Sequence, residues 1–367
     1  MEILIHKSAF LKALGFVSGV TTQKTNAMPI LGNVLLETDG QDTLHMIGTD
    51  LEVGVSIKVP AKVVKEGSIT VPCKKLMEII REIPEGEVEV IVAKNNAVNI
   101  KAGKGYFKIM GLTKEDYPKL PEFDLESGIE IEQSLLKESM SLTSFAISYD
   151  ETRYVLNGIM VSLKGDKMRF VATDGRRLAY IEKEIQTQKA TKDFEVIIPL
   201  KAVQELLKLL RWDGTVKIIL SQNQIVFHLG DSYLVSRLIE GNFPNYEQVI
   251  PKEEKTLSHA NREELLQAVK RTSLLTSPDS PAVKMDFVKG KILITSRSPN
   301  LGEAKEELNA ETTGDELAIG FNPHYLIDVL KNMDVDKVSL SLTDPDKPGL
   351  IKGKDNYLYV IMPMQLN

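Results

Sequence analysis

One cysteine, one tryptophan and an aromatic content of 6% are what this chain of 367 residues has least of. A lone Cys73 cannot form an internal disulfide, so a reducing, cytoplasmic setting is expected. No apolar run reaches the roughly 18 residues of a membrane-spanning helix. The opening MEILIHKSAF has no basic start, continuous apolar stretch or small-residue cleavage site. The sequence therefore predicts a soluble globular protein with no membrane partner. Its 5 histidines show no metal-ligand spacing, and no phosphate loop of the type GxxxxGKS/T occurs. Neither a metal nor any other cofactor is expected. Cys73 lies in VPCKKLMEII, where two lysines and a helix start favour a thiolate. No histidine motif accompanies it to supply a base, so it reads as a small residue in a helical first turn.

What is present is repetition. GTDLEVGV at 48–55 and ATDGRRLA at 172–179 lie 124 positions apart. Asn33 in NVLLETDG matches Asn157 in NGIMVSLKGD at the same offset, and VPCKKLMEIIREIP matches IPLKAVQELLKLLR at an offset of 127. GYFKIMGL and SYLVSRLI follow at 127. A third copy is more eroded: FNPHYLIDVLKNM and NYLYVIMPMQLN lie 124 beyond their counterparts, with KILITSRSPN where the Thr-Asp motif would stand. Such self-similarity marks tandem copies of one folding unit. We place the copies at 1–126, 127–250 and 251–367, joined by the Pro- and charge-rich PKLPEFDLESG and PKEEKTLSHA.

Each copy alternates helical and strand periods. Helical spacing covers 7–20, 132–148 and 261–276, then 72–82, 199–212 and 322–333, with short Val/Ile/Leu-rich runs between. Pro72 and Pro199 suit a helical first turn, and Asn322 suits an N-cap. The expected fold class is α+β: three tandem domains, each with two helices packed on antiparallel sheets. For 199–212 the spacing puts Leu200, Val203, Leu207 and Leu210 on the packed face and Lys201, Gln204, Lys208 and Arg211 on a basic, wet one.

Charge is segregated by element. The chain carries a formal net charge of −6, yet the six helical segments hold 13 Lys and Arg against 8 Asp and Glu. Helices gathered around one axis would make a positive lining inside a negative shell. Such a lining attracts phosphates without reading bases.

These motifs, with MPILGNVLLE at 28–37, RYVLNGI at 153–159, GNFPNYEQVIP at 241–251 and VIMPMQL at 360–366, resemble the bacterial sliding clamp, the beta subunit of DNA polymerase III. The resemblance runs the full length in motif order. It implies a head-to-tail homodimer whose six domains close into a ring around duplex DNA, bound independently of sequence. It also implies partners that dock through short peptides: the polymerase III alpha subunit, the clamp loader and other proteins carrying a clamp-binding motif. A near-sixfold ring needs one block three times per chain, and two-fold symmetry supplies the rest.

Site residues carried over by motif fall into three groups. DNA contacts are expected from Lys24, Lys74, Arg81, Tyr154, Lys201, Lys208 and Arg211. The partner-peptide pocket is expected from Arg153 and Leu156; from Thr173, Gly175, Arg176, Arg177 and Leu178; from Pro244 and Val249; and from Val360, Met362, Pro363 and Met364. The dimer seam is expected from Lys75 and Phe107 against Leu274, Leu275, Glu303, Glu306 and Glu307. An apolar terminus with two methionines makes an adaptable lining. Departures from the family pattern are Val155, Arg176, Lys305 and Gln365.

Two other readings compete. Asp50 and Asp174, joined by Asp344 and Asp346, could serve metal-dependent phosphoryl transfer. Against this, Asp between two strands is a common turn former, and the third copy has lost it. A peptide-binding scaffold of the same fold without a DNA role is the other alternative. No catalytic residue is assigned.

Overall fold

The computed structural model describes residues 1–21, 28–186, 192–277 and 281–366. Six α-helices lie where helical spacing predicts them, and the repeat is visible in their lengths. The first helix of each copy has 12 residues: α1 (Lys7–Ser18), α3 (Gln133–Ser144) and α5 (Arg262–Ser273). The second has 10: α2 (Cys73–Glu82), α4 (Leu200–Leu209) and α6 (Pro323–Asn332). Asn322 caps α6, its side-chain oxygen accepting from His324 N at 2.9 Å. Pro72 and Pro199 stand one residue earlier than expected. Pro72 is the N-cap of α2 and Pro199 ends the strand before α4, where a residue lacking an N–H costs the helix nothing.

The chain divides into two compact units that cut across the repeat. Unit 1 joins Met1–Ser134 to Lys201–Leu238, and unit 2 joins Leu135–Leu200 to Ile239–Asn367. Unit 1 holds a five-stranded sheet ordered Lys62–Lys65, Glu2–His6, Glu87–Val92, Ala97–Ala102, Gly105–Met110. Its eight-stranded sheet runs Ile129–Glu132, Thr215–Leu220, Gln224–His228, Ser232–Arg237, Val53–Pro60, Thr43–Thr49, Asn33–Asp39, Ser68–Pro72. Unit 2 holds a twelve-stranded sheet in which Arg177–Glu184 lies beside Leu358–Ile361. Among the described residues the strand pairings are antiparallel.

The reason for this division is that a copy does not own its sheets. Val53–Pro60 of the first copy pairs with Ser232–Arg237 of the second, and Arg177–Glu184 of the second pairs with Leu358–Ile361 of the third. Each junction between copies is thus a continuous ladder, cored by alternating apolar residues such as Val53, Val55, Leu178 and Val360.

The buried face of α4 differs from expectation. Ala202, Val203, Leu206, Leu209 and Leu210 are buried, whereas Leu200 and Leu207 are only half-buried. LKAVQELLKLL is apolar at too many positions for spacing alone to fix a face. The rotation also carries the Glu205 carboxylate inward against Gly19, where a Cβ would lie 2.0 Å from Glu205 Oε2.

Candidate interaction surfaces

The Thr-Asp turn of the second copy is built by its own side chains. Thr173 Oγ1 donates to Arg177 O at 2.6 Å and accepts from Gly175 N at 3.0 Å. Asp174 Oδ1 accepts from Arg176 N at 2.9 Å and Arg177 N at 3.0 Å, as an Asx turn requires. Gly175 sits at φ +84°, the left-handed region a side chain disfavours. The aspartates are therefore turn formers. Among the described residues no group of three or more His, Cys, Asp or Glu side chains is placed to hold a metal.

Arg177 anchors this turn from below. Its Nε donates to Asp174 Oδ2 at 3.0 Å, its Nη1 to Asp328 Oδ2 at 2.6 Å and its Nη2 to Phe145 O at 2.7 Å. The guanidinium lies 4.5 Å from the Tyr325 ring centroid, a cation–π contact. Arg177 was expected to face a peptide. It is buried, with those three donors engaged, and holds the turn in place. Asp328, Tyr325 and Phe145 escaped sequence reasoning, because a partner 151 residues away leaves no local pattern.

Around the turn the expected pocket residues converge. Leu178 and Val360 face each other across the strand pair and share a buried cluster with Met160, Val171 and Leu350. Phe243 and Tyr246, also missed, pack against it, and Leu156 is buried nearby in chain at the end of a turn of 3-10 helix, Glu151–Leu156. Arg153 fastens that turn to the Thr-Asp turn, with Nε on Asp150 Oδ2 at 2.9 Å and Nη1 on Asp174 O at 3.0 Å. Hydrogen bonds from Thr152 and Arg153 hold the Asp150 carboxyl below its usual range. The tail is pinned at two points: Met362 N donates to Arg176 O at 2.9 Å and Met364 N to Gly320 O at 2.8 Å. Met362, Pro244, Val249 and the Arg176 side chain are exposed, and Pro363 and Met364 are half-buried. A buried apolar cluster thus lies beside exposed Met362 and Arg176.

The basic residues divide by how engaged they are. Lys74 and Arg81 on α2 are exposed and make no hydrogen bond or ion pair among the described residues. Arg211, just past α4, is exposed as well. Lys201 is half-buried and ion-paired with Asp50, and Lys208 bonds both oxygens of Glu205 at 2.7 Å. The face expected to be basic and wet thus has two of its cations already paired. Tyr154 is 58% exposed in unit 2. Lys24 lies outside the described residues.

Phe107, and Glu303, Glu306 and Glu307, lie on two strands with open edges. Among the described residues Gly105–Met110 pairs with Ala97–Ala102 alone, and it exposes Tyr106, Phe107 and Met110. In unit 2, the Gly302–Gly314 strand pairs with Lys291–Ser298 over 302–309, and its bonds to Thr256–Asn261 begin only at Ala310. Unpaired backbone on such edges invites another strand. Leu274 is 74% exposed, Leu275 half-buried and Glu303 exposed. Lys75 was expected to face Glu303, Glu306 and Glu307 across the seam, and within one chain these charges have other neighbours. Lys75 pairs with Glu78, Arg271 grips Glu306 at 2.7 and 2.8 Å, and Lys291 pairs with Glu307 at 3.2 Å. Cys73 is buried, and burial pushes its thiol up to about 11, which leaves it unreactive.

Models of the DNA polymerase III beta subunit match at residues 1–121 for the N-terminal domain, 130–245 for the central domain and 247–365 for the C-terminal domain. The chain is 36% identical to the beta sliding clamp of Pseudomonas aeruginosa over 370 residues and 34% identical to that of Chlamydia muridarum over 367, covering 100% of each. Among solved structures it is similar to the P. aeruginosa sliding clamp bound to griselimycin, with TM-score 0.92 and 35% identity. The Bacillus subtilis DNA polymerase sliding clamp gives TM-score 0.92 at 28% identity. Both structural matches cover 100% of both chains.

Proposed function

Because this chain belongs to the DNA polymerase III beta subunit family, the beta sliding clamps, we propose that it acts as a sliding clamp. Two copies join head to tail into a ring around duplex DNA, and the ring tethers the replicative polymerase and other replication and repair proteins. The repeats act as three clamp domains, 1–126, 127–250 and 251–367, so six domains complete the ring. The role is non-catalytic, and its setting is the cytoplasm. Among the described residues no helix is long and apolar enough to cross a membrane.

The observation that carries this reading is the inter-copy ladder. The same strand pairing joins copy to copy at both junctions within the chain. Open edges remain at Gly105–Met110 and 302–309, so a second copy can continue the pattern until it closes. Phe107, Leu274 and Leu275 supply the apolar part of that seam, with Lys75, Glu303, Glu306 and Glu307 around it.

Lys74, Arg81 and Arg211 lead the phosphate contacts, with Lys24, Lys201, Lys208 and Tyr154 completing them. Phosphates look alike at every register, so the ring slides, and retention comes from closure rather than affinity. The pocket of Arg176, Leu178, Val360, Met362, Pro363 and Met364 takes partner peptides. A direct test is griselimycin, bound by the P. aeruginosa relative. With Met362→Ala and Met364→Ala combined, its affinity for this chain is expected to fall about thirtyfold, the scale of a hot-spot loss of about 2 kcal/mol. Unchanged affinity would remove the tail from the pocket.

A further inference from the structure

The strand pair that carries Leu178 and Val360 is built a second time, in unit 1, and there it borders a cleft. Strand registers set the equivalence. Val235 lies opposite Gly54 as Val360 lies opposite Leu178. Arg237 N donates to Glu52 O at 2.9 Å, as Met362 N donates to Arg176 O at the same distance. Thr49 stands for Thr173, Leu51 for Gly175 and Pro118 for Pro244. These residues border a cleft of about 310 Å³, at the small end of the range for ligand pockets.

We infer that this cleft is a second peptide groove, taking a short extended segment with one apolar anchor and a carboxylate beside it. The inference rests on the assignment of the tail-lined pocket to partner peptides. The chemistry of the two sites differs in ways that select the occupant. Gly54 replaces Leu178, and Leu120 leans into the space: a Cβ at Gly54 would come within 2.4 Å of Leu120 Cδ2. Leu120 also packs on Ile219, Val226 and Val235, which completes an apolar floor.

The rim is charged where the tail-lined pocket is apolar. Arg237 takes the place of Met362 and faces Glu52 at 3.7 Å, both side chains mostly exposed. So loose and solvated a pair contributes little and yields readily to a ligand. Lys119 lines the cleft and makes no hydrogen bond or ion pair among the described residues. Two cations against one acid give the lining a positive balance, complementary to a carboxylate next to the anchor.

The test is photo-crosslinking of the full-length chain with a fluorescent five-residue peptide carrying a photoreactive leucine next to an aspartate, mapped by mass spectrometry. Crosslinks are expected in two sets, one at 49–54, 118–121 and 235–237, the other at 173–178 and 360–364. Lys119→Glu should weaken the first set about tenfold and spare the second, and Met362→Ala with Met364→Ala should do the reverse. Crosslinks confined to the second set, or a first set indifferent to Lys119→Glu, would overturn the second groove and leave the tail-lined pocket standing. A first set alone, sensitive to Lys119→Glu, would support the groove and overturn the tail-lined pocket. Crosslinks at neither would overturn both.

Discussion

The Thr-Asp turns of the first two copies share a hydrogen-bond scheme and differ in what they are tied to. Thr49 Oγ1 donates to Val53 O and accepts from Leu51 N, each at 3.0 Å, and Asp50 Oδ1 accepts from Glu52 N at 3.0 Å and Val53 N at 2.7 Å. These bonds reproduce those around Thr173 and Asp174, so the turn itself is fixed by a threonine and an aspartate. The second carboxylate oxygen diverges. Asp50 takes Lys201 from α4, the second helix of the next copy. Asp174 takes Arg177, which reaches Asp328 on α6, again the second helix of the next copy. One position joins adjoining copies at both junctions, with the cation supplied by the helix in one and by the turn in the other. The third copy has Ser298 at this position, and it meets no further copy within its own chain.

The comparison predicts unequal costs. Arg177→Ala should have the largest effect, about 3 kcal/mol, because it strips a buried cation from two carboxylates and a carbonyl. Loss of denaturant stability in unit 2, read by hydrogen exchange across 177–184 and 358–361, is the check, and a cost below about 1 kcal/mol would make the junctions alike. Gly175→Ala comes next, at about 1 kcal/mol, since alanine resists φ +84° and its Cβ would sit 2.8 Å from Arg153 Nη1. Thermal unfolding measures it. Asp50→Asn keeps the turn acceptor and loses only the half-exposed Lys201 pair, so about 0.5 kcal/mol is expected in the same assay. Leu51 already bears φ +78° where the second copy has glycine. Leu51→Gly should therefore change stability by less than about 0.5 kcal/mol, strain relief offsetting added chain entropy.

A pH prediction separates the same two regions. At the repeat offset, His45 of the first copy stands for Arg169 of the second. Burial, with Lys58 adding to it, lowers the His45 pKa, while Arg169 bonds Glu182 at 2.7 Å. A histidine depressed in the folded state binds fewer protons there than when unfolded. Its stabilisation is present above the usual pKa of about 6.5 and is lost as pH falls through the folded value. Protection against hydrogen exchange, taken relative to the intrinsic rate at each pH, should thus fall across Thr43–Thr49 more than across Lys167–Thr173 as pH drops below about 6.5, and His45→Gln should erase the difference.

Much of this was legible in the sequence for a local reason. Helix spans follow apolar spacing within a dozen residues, and Asp50 and Asp174 were readable as turn formers from their place between strands. The ladder from copy to copy was not. Val53 pairs with Ser236, and no local period records so distant a partner. The face of α4 failed for another reason, its apolar residues being too many for spacing to choose among them. At the candidate sites, motif resemblance picked out residues of one neighbourhood but not the burial of Arg177, which bonds Asp328 and lies over Tyr325. Lys201 and Lys208 were legible as cations but not as paired ones, since Asp50 lies 151 residues from Lys201 and Glu205 required the rotated face.

The most direct test of the central claim is retention on nicked circular DNA after loading by a cognate clamp loader with ATP, followed by a single cut in the circle. A ring held by closure stays on the circle through high salt and leaves when the DNA is made linear. Release by salt alone, with the cut making no difference, would contradict the sliding-clamp account.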